Sequence, residues 1–203
     1  MDNQDIFQCV PNFSEGRDLG VIEEIADAIR AVTGANLVDY SWDWDHHRSV
    51  MTILGSAQAI ERAVFEAARI AESRIDLREH SGVHPRIGAI DVLPLVPLLD
   101  TAEEFAIETA NRIAKRIGDE LKTPVYLYEW NAKKGRKSAL PELRKGGFEE
   151  LLKQKLIGVR KPDFGPDCAH ISAGATVVGA RSPLVARSKS RSGSSRSRPP
   201  SAR

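Results

Sequence analysis

Long apolar runs are missing from this chain of 203 residues, and no stretch approaches the ~20 residues that a bilayer-spanning helix needs. Cysteine is scarce. Cys9 and Cys168 lie far apart, without the paired spacing of a zinc site, a redox motif or a disulfide framework. Two reduced thiols in a cytoplasmic protein are therefore expected. The opening Met1–Asp5 is polar and acidic, so no secretory signal is expected there. An excess of charge is also lacking: 29 Lys and Arg face 28 Asp and Glu, a net of +1. No internal repeat is visible. What is present, 41% hydrophobic and 28% charged residues, suits one globular domain with a sizeable core.

The balance of charge hides an asymmetry. Residues 187–203 hold six bases (Arg187, Lys189, Arg191, Arg196, Arg198, Arg203) and no acid, leaving 23 bases and 28 acids, a net of −5, for 1–186. A mildly acidic body has no electrostatic reason to bind nucleic acid. The Arg/Ser tail with Pro199–Pro200 lacks the apolar residues that would offset the entropy of ordering, and reads as disordered. Nucleic acid could be met only through this tail. The organisation expected is a domain over 1–186 and a basic tail over 187–203.

Within 1–186, strand and helix periods alternate. Ile6–Phe13 reads as a strand ended by Pro11–Asn12 and the Ser14–Glu15–Gly16 turn. Val21, Ile22, Ile25, Ala28, Ile29 and Val32 recur at helical spacing before Gly34. Strands follow at Asn36–Tyr40 and Ser49–Leu54, with Trp42–His47 as the turn or bulge between them. Ser56 caps a helix from Ala57 to about Ile75. Ala89–Pro97 is an apolar run of strand length. Thr101–Glu104 has the pattern of a capping box opening a helix to about Leu121. Val125–Glu129 is a further strand, short helical pieces surround Gly146–Gly147, and His170–Ile171 and Thr176–Val178 add strand edges. The sum is an α+β fold, a mixed or antiparallel sheet with helices on one face, a two-layer sandwich.

The richest segment is His80-Ser81-Gly82-Val83-His84-Pro85-Arg86-Ile87-Gly88-Ala89. Its two glycines reach backbone angles that other residues resist, and Pro85 fixes its own φ. Such a loop can hold His84 and Arg86 in one geometry. Imidazole suits proton transfer near neutral pH, and guanidinium suits paired bonds to carboxylates. The residues alone favour a plainer reading, a tight turn whose His and Arg satisfy nearby carbonyls. Asp43, Asp45, His46 and His47 look like metal ligands, but alternation sends neighbours to opposite faces and at most two could converge. A structural loop with solvated charges, and no metal, is expected. For Trp42 and Trp44 core packing or a partner surface is expected ahead of stacking on a ligand.

Five motifs in order resemble the glutamate formiminotransferase family: Cys9-Val10-Pro11-Asn12-Phe13-Ser14-Glu15-Gly16-Arg17, the His84–Ala89 loop running into Ile90-Asp91-Val92, Pro124–Tyr128, Pro162–Pro166 and Gly174–Arg181. The similarity covers about residues 6–186. It implies a folate-dependent transferase of the cytoplasm, moving a formimino group from N-formiminoglutamate to tetrahydrofolate in histidine degradation. Tetrahydrofolate is then the co-substrate, and a homodimer is implied. The family's catalytic histidine lands on His84. Arg86, and Arg48 within the matched Arg48-Ser49-Val50, fall on the substrate side. His80 lies outside the motif and reads as a solvated helix-end residue. The family's folate-binding stretch matches Gly165, Pro166, Asp167, Cys168, Ala169, His170, Ile171, Ser172, Ala173 and Gly174, whose glycines would admit the flat pterin ring. The chain departs from the family at His47, often Asn, and at Ser41, acidic in the mammalian form. The resemblance also implies a second subdomain past Ala186, with folate between the two. Two other readings are open: a non-catalytic homologue serving binding or assembly, and a relative handling formyl groups.

Overall fold

The computed structural model describes residues 5–135 and 139–182, so the basic tail and the boundary near Ala186 lie outside the described residues. The first strand is broken by Val10–Pro11 into β1 (Ile6–Cys9) and β2 (Asn12–Phe13). Both pieces sit antiparallel between β4 (Arg48–Gly55) and β5 (Ile90–Leu98), and β3 (Ala35–Asp43) pairs with β4 at the outer edge. Beyond β5 the pairing turns parallel, first to β7 (Thr176–Ala180) and then to β6 (Val125–Leu127). The sheet is thus mixed, as the alternation of periods implied.

Three helices cover one face. In α1 (Leu19–Arg30) the buried Val21, Ile22, Ile25, Ala26 and Ile29 form the stripe, and Asp18 accepts two N–H bonds at its N-terminus. Burial of each such isoleucine contributes about 1.5–3 kcal/mol. Ser56 caps α2 (Ala57–Arg74) by accepting from the Ala59 N–H. The helix α3 (Glu103–Arg116) continues as a π-helical turn over Ile117–Leu121. Its capping box does not form. Ala102 occupies the N-cap, and the Thr101 hydroxyl instead accepts from the Ile6 N–H at 3.0 Å, tying the helix to the start of the chain.

Alternation along the strands separates two cores. Phe7, Cys9, Met51, Ile53, Leu93, Leu95 and Val178 face the helices. Val92, Tyr126 and Val177 face the other way, where α4 (Leu140–Leu143) and α5 (Gly147–Leu152) cover them with Leu151. Thr176–Ala180 is no sheet edge: all five residues are buried between two parallel neighbours. The remainder of that second face, across β3, β4 and β1, carries half-buried side chains such as Arg48, Val50 and Thr52.

One irregularity bears on function. Asn12 pairs with Val92 while Phe13 pairs with Ile90, so Asp91 is an extra residue in β5. Such a bulge re-aims a side chain. Asp91 is fully buried; its Oδ1 accepts from the Ile87 N–H at 2.9 Å and its Oδ2 from Arg144.

Candidate active site

The turn Trp44–His47 and the loop between α2 and β5 meet beside the start of β4. Arg48 opens β4, and its Nη1 donates to His84 Nε2 at 2.9 Å. An arginine only donates, so Nε2 is the acceptor and the ring is neutral, with its proton on Nδ1. Burial first, then the charges of Arg48 and Arg144, push the His84 imidazole down to about 4. The ring is half-buried, with His46 at 6.2 Å centroid to centroid. Two guanidinium groups and an unprotonated imidazole form a site that can bind an anionic substrate and accept a proton at neutral pH.

The loop behind His84 is held by main chain. The Ala89 N–H donates to Ala173 O, the Ala175 N–H to Ile87 O, and Gly88 bridges Gly174. Arg86 points the other way, its Nη2 donating to Leu77 O, His80 O and Glu149 Oε1 at 3.4, 2.9 and 2.9 Å. The structure therefore brings Arg48 to His84 and sends the Arg86 Nη2 to the protein's own carbonyls and α5.

The stretch Gly165–Gly174 reaches this loop at its C-terminal end. A Cβ on Gly174, at φ +70°, would fall 2.0 Å from Ile87 O, and one on Gly165, at φ +82°, would fall 2.6 Å from Thr123 O. Both glycines are thus required by the protein's own backbone. His170 Nδ1 accepts from the Ala173 N–H, and its Nε2 faces Glu72 of α2 at 3.3 Å. The Asp167 carbonyl accepts from Leu156, and that of Ser172 from Leu77. Asp167, Cys168 and Ile171 present exposed surface, while Ala173 is buried and Pro166, Ala169 and Ser172 are intermediate.

Other expectations are revised. His80 is no solvated helix-end residue: its ring stacks on His47 at 4.0 Å and 7°, and its Nε2 donates to His47 O. Trp42 and Trp44 are half exposed, with the Arg17 guanidinium over the Trp44 ring at 5.4 Å, so neither packs into the core. Asp43 Oδ1 accepts from the His46 N–H and faces its Nδ1, while His47 turns to Glu15. Among the described residues no three His, Cys, Asp or Glu side chains converge to hold a metal. Sequence reasoning missed Arg144 and Asp91. A lone acid in an apolar run, Ile90-Asp91-Val92, was the available signal, since a buried carboxylate needs a partner.

Comparison with known proteins gives the same direction. The model of the formiminotransferase domain, N-terminal subdomain, matches residues 6–181. A glutamate formimidoyltransferase of Streptococcus pyogenes is 41% identical over 181 residues, covering 89% of this chain and 60% of that protein. One of Thermoplasma acidophilum is 42% identical over 183 residues, with the same coverages. A formimidoyltransferase-cyclodeaminase of Dictyostelium discoideum is 39% identical over 184 residues, covering 34% of its length. The chain thus spans about three fifths of the length of these two relatives. With a match that runs from β1 through β7 and includes the His84 loop, the chain belongs to the formiminotransferase family, as its N-terminal subdomain.

Proposed function

We propose that this chain supplies the histidine-bearing part of a folate-dependent glutamate formimidoyltransferase, with His84 as acid and base. The observation that carries the reading is the neutral His84 ring facing Arg48. In the free site Arg48 occupies the Nε2 lone pair. A substrate carboxylate offers that guanidinium a charged acceptor, and its transfer there frees Nε2. Nε2 then takes the proton of the attacking folate nitrogen as that nitrogen bonds to the formimino carbon. The imidazolium returns the proton to the glutamate nitrogen as its bond to that carbon breaks, giving glutamate and formimino-tetrahydrofolate. Arg48 and Arg144 both favour the unprotonated ring between turnovers.

In this reading Arg86 acts on the substrate side by fixing the loop that carries His84. Tetrahydrofolate, the co-substrate, lies along Gly165–Gly174 through the exposed Asp167, Cys168 and Ile171. The relatives' names support a glutamate substrate, and the family resemblance supports a cytoplasmic homodimer in histidine degradation with a second subdomain closing the folate site. No described helix is long and apolar enough to cross a membrane. The test is turnover of N-formiminoglutamate with tetrahydrofolate, by the chain alone and with a relative's second subdomain added. His84→Ala should lower turnover about 10²–10⁴-fold, the usual contribution of a general acid–base. Turnover that survives this change intact rejects the reading.

A further inference from the structure

The turn Trp44–His47 and the segment His80–His84 close on each other along their length. His47 Nδ1 lies 3.0 Å from Ser81 O, and Nε2 lies 3.0 Å from Glu15 Oε1. That carboxylate oxygen already accepts from the N–H groups of Arg17 and Asp18 at 2.8 and 3.0 Å. Neither partner of the ring can donate, so both bonds are made together only by a ring carrying two protons. His80 lies flat against it and donates from Nε2 to His47 O at 2.9 Å. The His80 Nδ1 is buried without a protein partner, so a second proton there would be an unpaired donor. Burial holds the His80 ring down to about 4, in agreement. The stack is therefore one cation on one neutral ring.

The same two segments carry the site. Val83 N–H donates to Asp45 O at 3.3 Å, and a Cβ on Gly82 would fall 2.6 Å from His46 O. Arg48 follows His47 directly, and His84 lies four residues beyond His80. The distance from Arg48 to His84 is thus set by how the two segments are joined.

We propose that His47 is a positioning residue for His84: its doubly protonated ring, stacked on His80 and bonded to Glu15 and Ser81, joins the loop to the β3–β4 turn and sets the bond between Arg48 and His84. This rests on the reading of His84 as the acid–base. The charged and titratable groups that face the stack are Glu15 and, behind His80, Arg86 and Glu149; those that face His84 are Arg48, Arg144 and His46.

The test is proton–nitrogen NMR of the imidazole rings, on the intact chain and two variants, from about pH 3 to pH 8. Wild-type His47 should show a hydrogen-bonded proton on each nitrogen, one toward Ser81 O and one toward Glu15, and a ring with one proton overturns the proposal. His47→Phe leaves a flat ring for His80 and removes both donors. The His84 midpoint should then rise from about 4 by roughly one unit or more, as the ring leaves Arg48 and gains water. Glu15→Gln should move it the same way by less, and decides the matter where His47→Phe fails to fold. A His84 midpoint unmoved in the folded variants overturns the proposal. None of these readouts uses turnover, so their failure leaves the transferase reading standing, and His84→Ala decides that separately.

Discussion

His84 owes its chemistry to its neighbours. In water an imidazole titrates near the working pH of a cell, whereas here burial, Arg48 and Arg144 hold it unprotonated well into acid. The cost is a ring that binds protons weakly; in the proposed transfer such a ring would pass on readily any proton it takes. Replacing Arg48 by Met removes one of the two guanidinium charges and the bond to Nε2 while keeping a long apolar stem. The His84 midpoint should rise from about 4 toward its usual 6.5, measurable by NMR. An unmoved midpoint would show that burial alone sets the ring. Cys9 illustrates the opposite case. Its thiol is fully buried and pushed up, so it serves the core as a small apolar group.

Among the elements, the loop between α2 and β5 depends on close backbone approach. A Cβ on Gly88 would lie 2.0 Å from Ala175 O, on the strand side of the bridge to Gly174. Gly88→Ala must part these segments, and should cost about 3 kcal/mol in denaturant unfolding, with His84 displaced. A loss under about 1 kcal/mol would mean the loop yields without strain. The helices were legible from spacing because each buries one stripe, and α1 and α2 begin at the side chains that cap them. The Thr101 pattern misled because a hydroxyl takes whichever partner tertiary packing brings closest, here Ile6, 95 positions away. Thr176–Ala180 misled for a related reason. A threonine followed by four small apolar residues fits an edge or a centre equally well, and only long-range pairing with β5 and β6 decides.

For the whole molecule, His80 and His84 couple folding to pH. Both titrate near 4 in the folded chain against 6.5 in the unfolded one. Between those values the unfolded chain binds more protons, so stability is fully present above about 6.5 and is lost as pH falls toward 4. His170 is shifted down as well, by burial. Asp76, held near 2 by Arg78, adds a loss only below its usual 3.8. Asp91 and Glu72, raised by burial, work in the opposite sense, so calorimetry at constant ionic strength should show a melting temperature that declines below pH 6.5 less steeply than the two rings alone would give. Midpoints of the His80 and His84 rings at or above 6.5 in an NMR titration of the folded chain would contradict the buried, neutral rings.

The order of strands and helices, the main apolar stripes and the loop holding His84 were determined by sequence alone, because they arise from local periodicity and from residues that limit their own backbone. The family was legible for the same reason, since its motifs are contiguous. Tertiary structure decided what joins distant parts. It placed Arg48 on His84, aimed Arg86 away, stacked His47 on His80, and buried Asp91 against Arg144. Each of these pairs is set by sheet register and by the desolvation of charge, and neither quantity is carried by a residue apart from its neighbours in space.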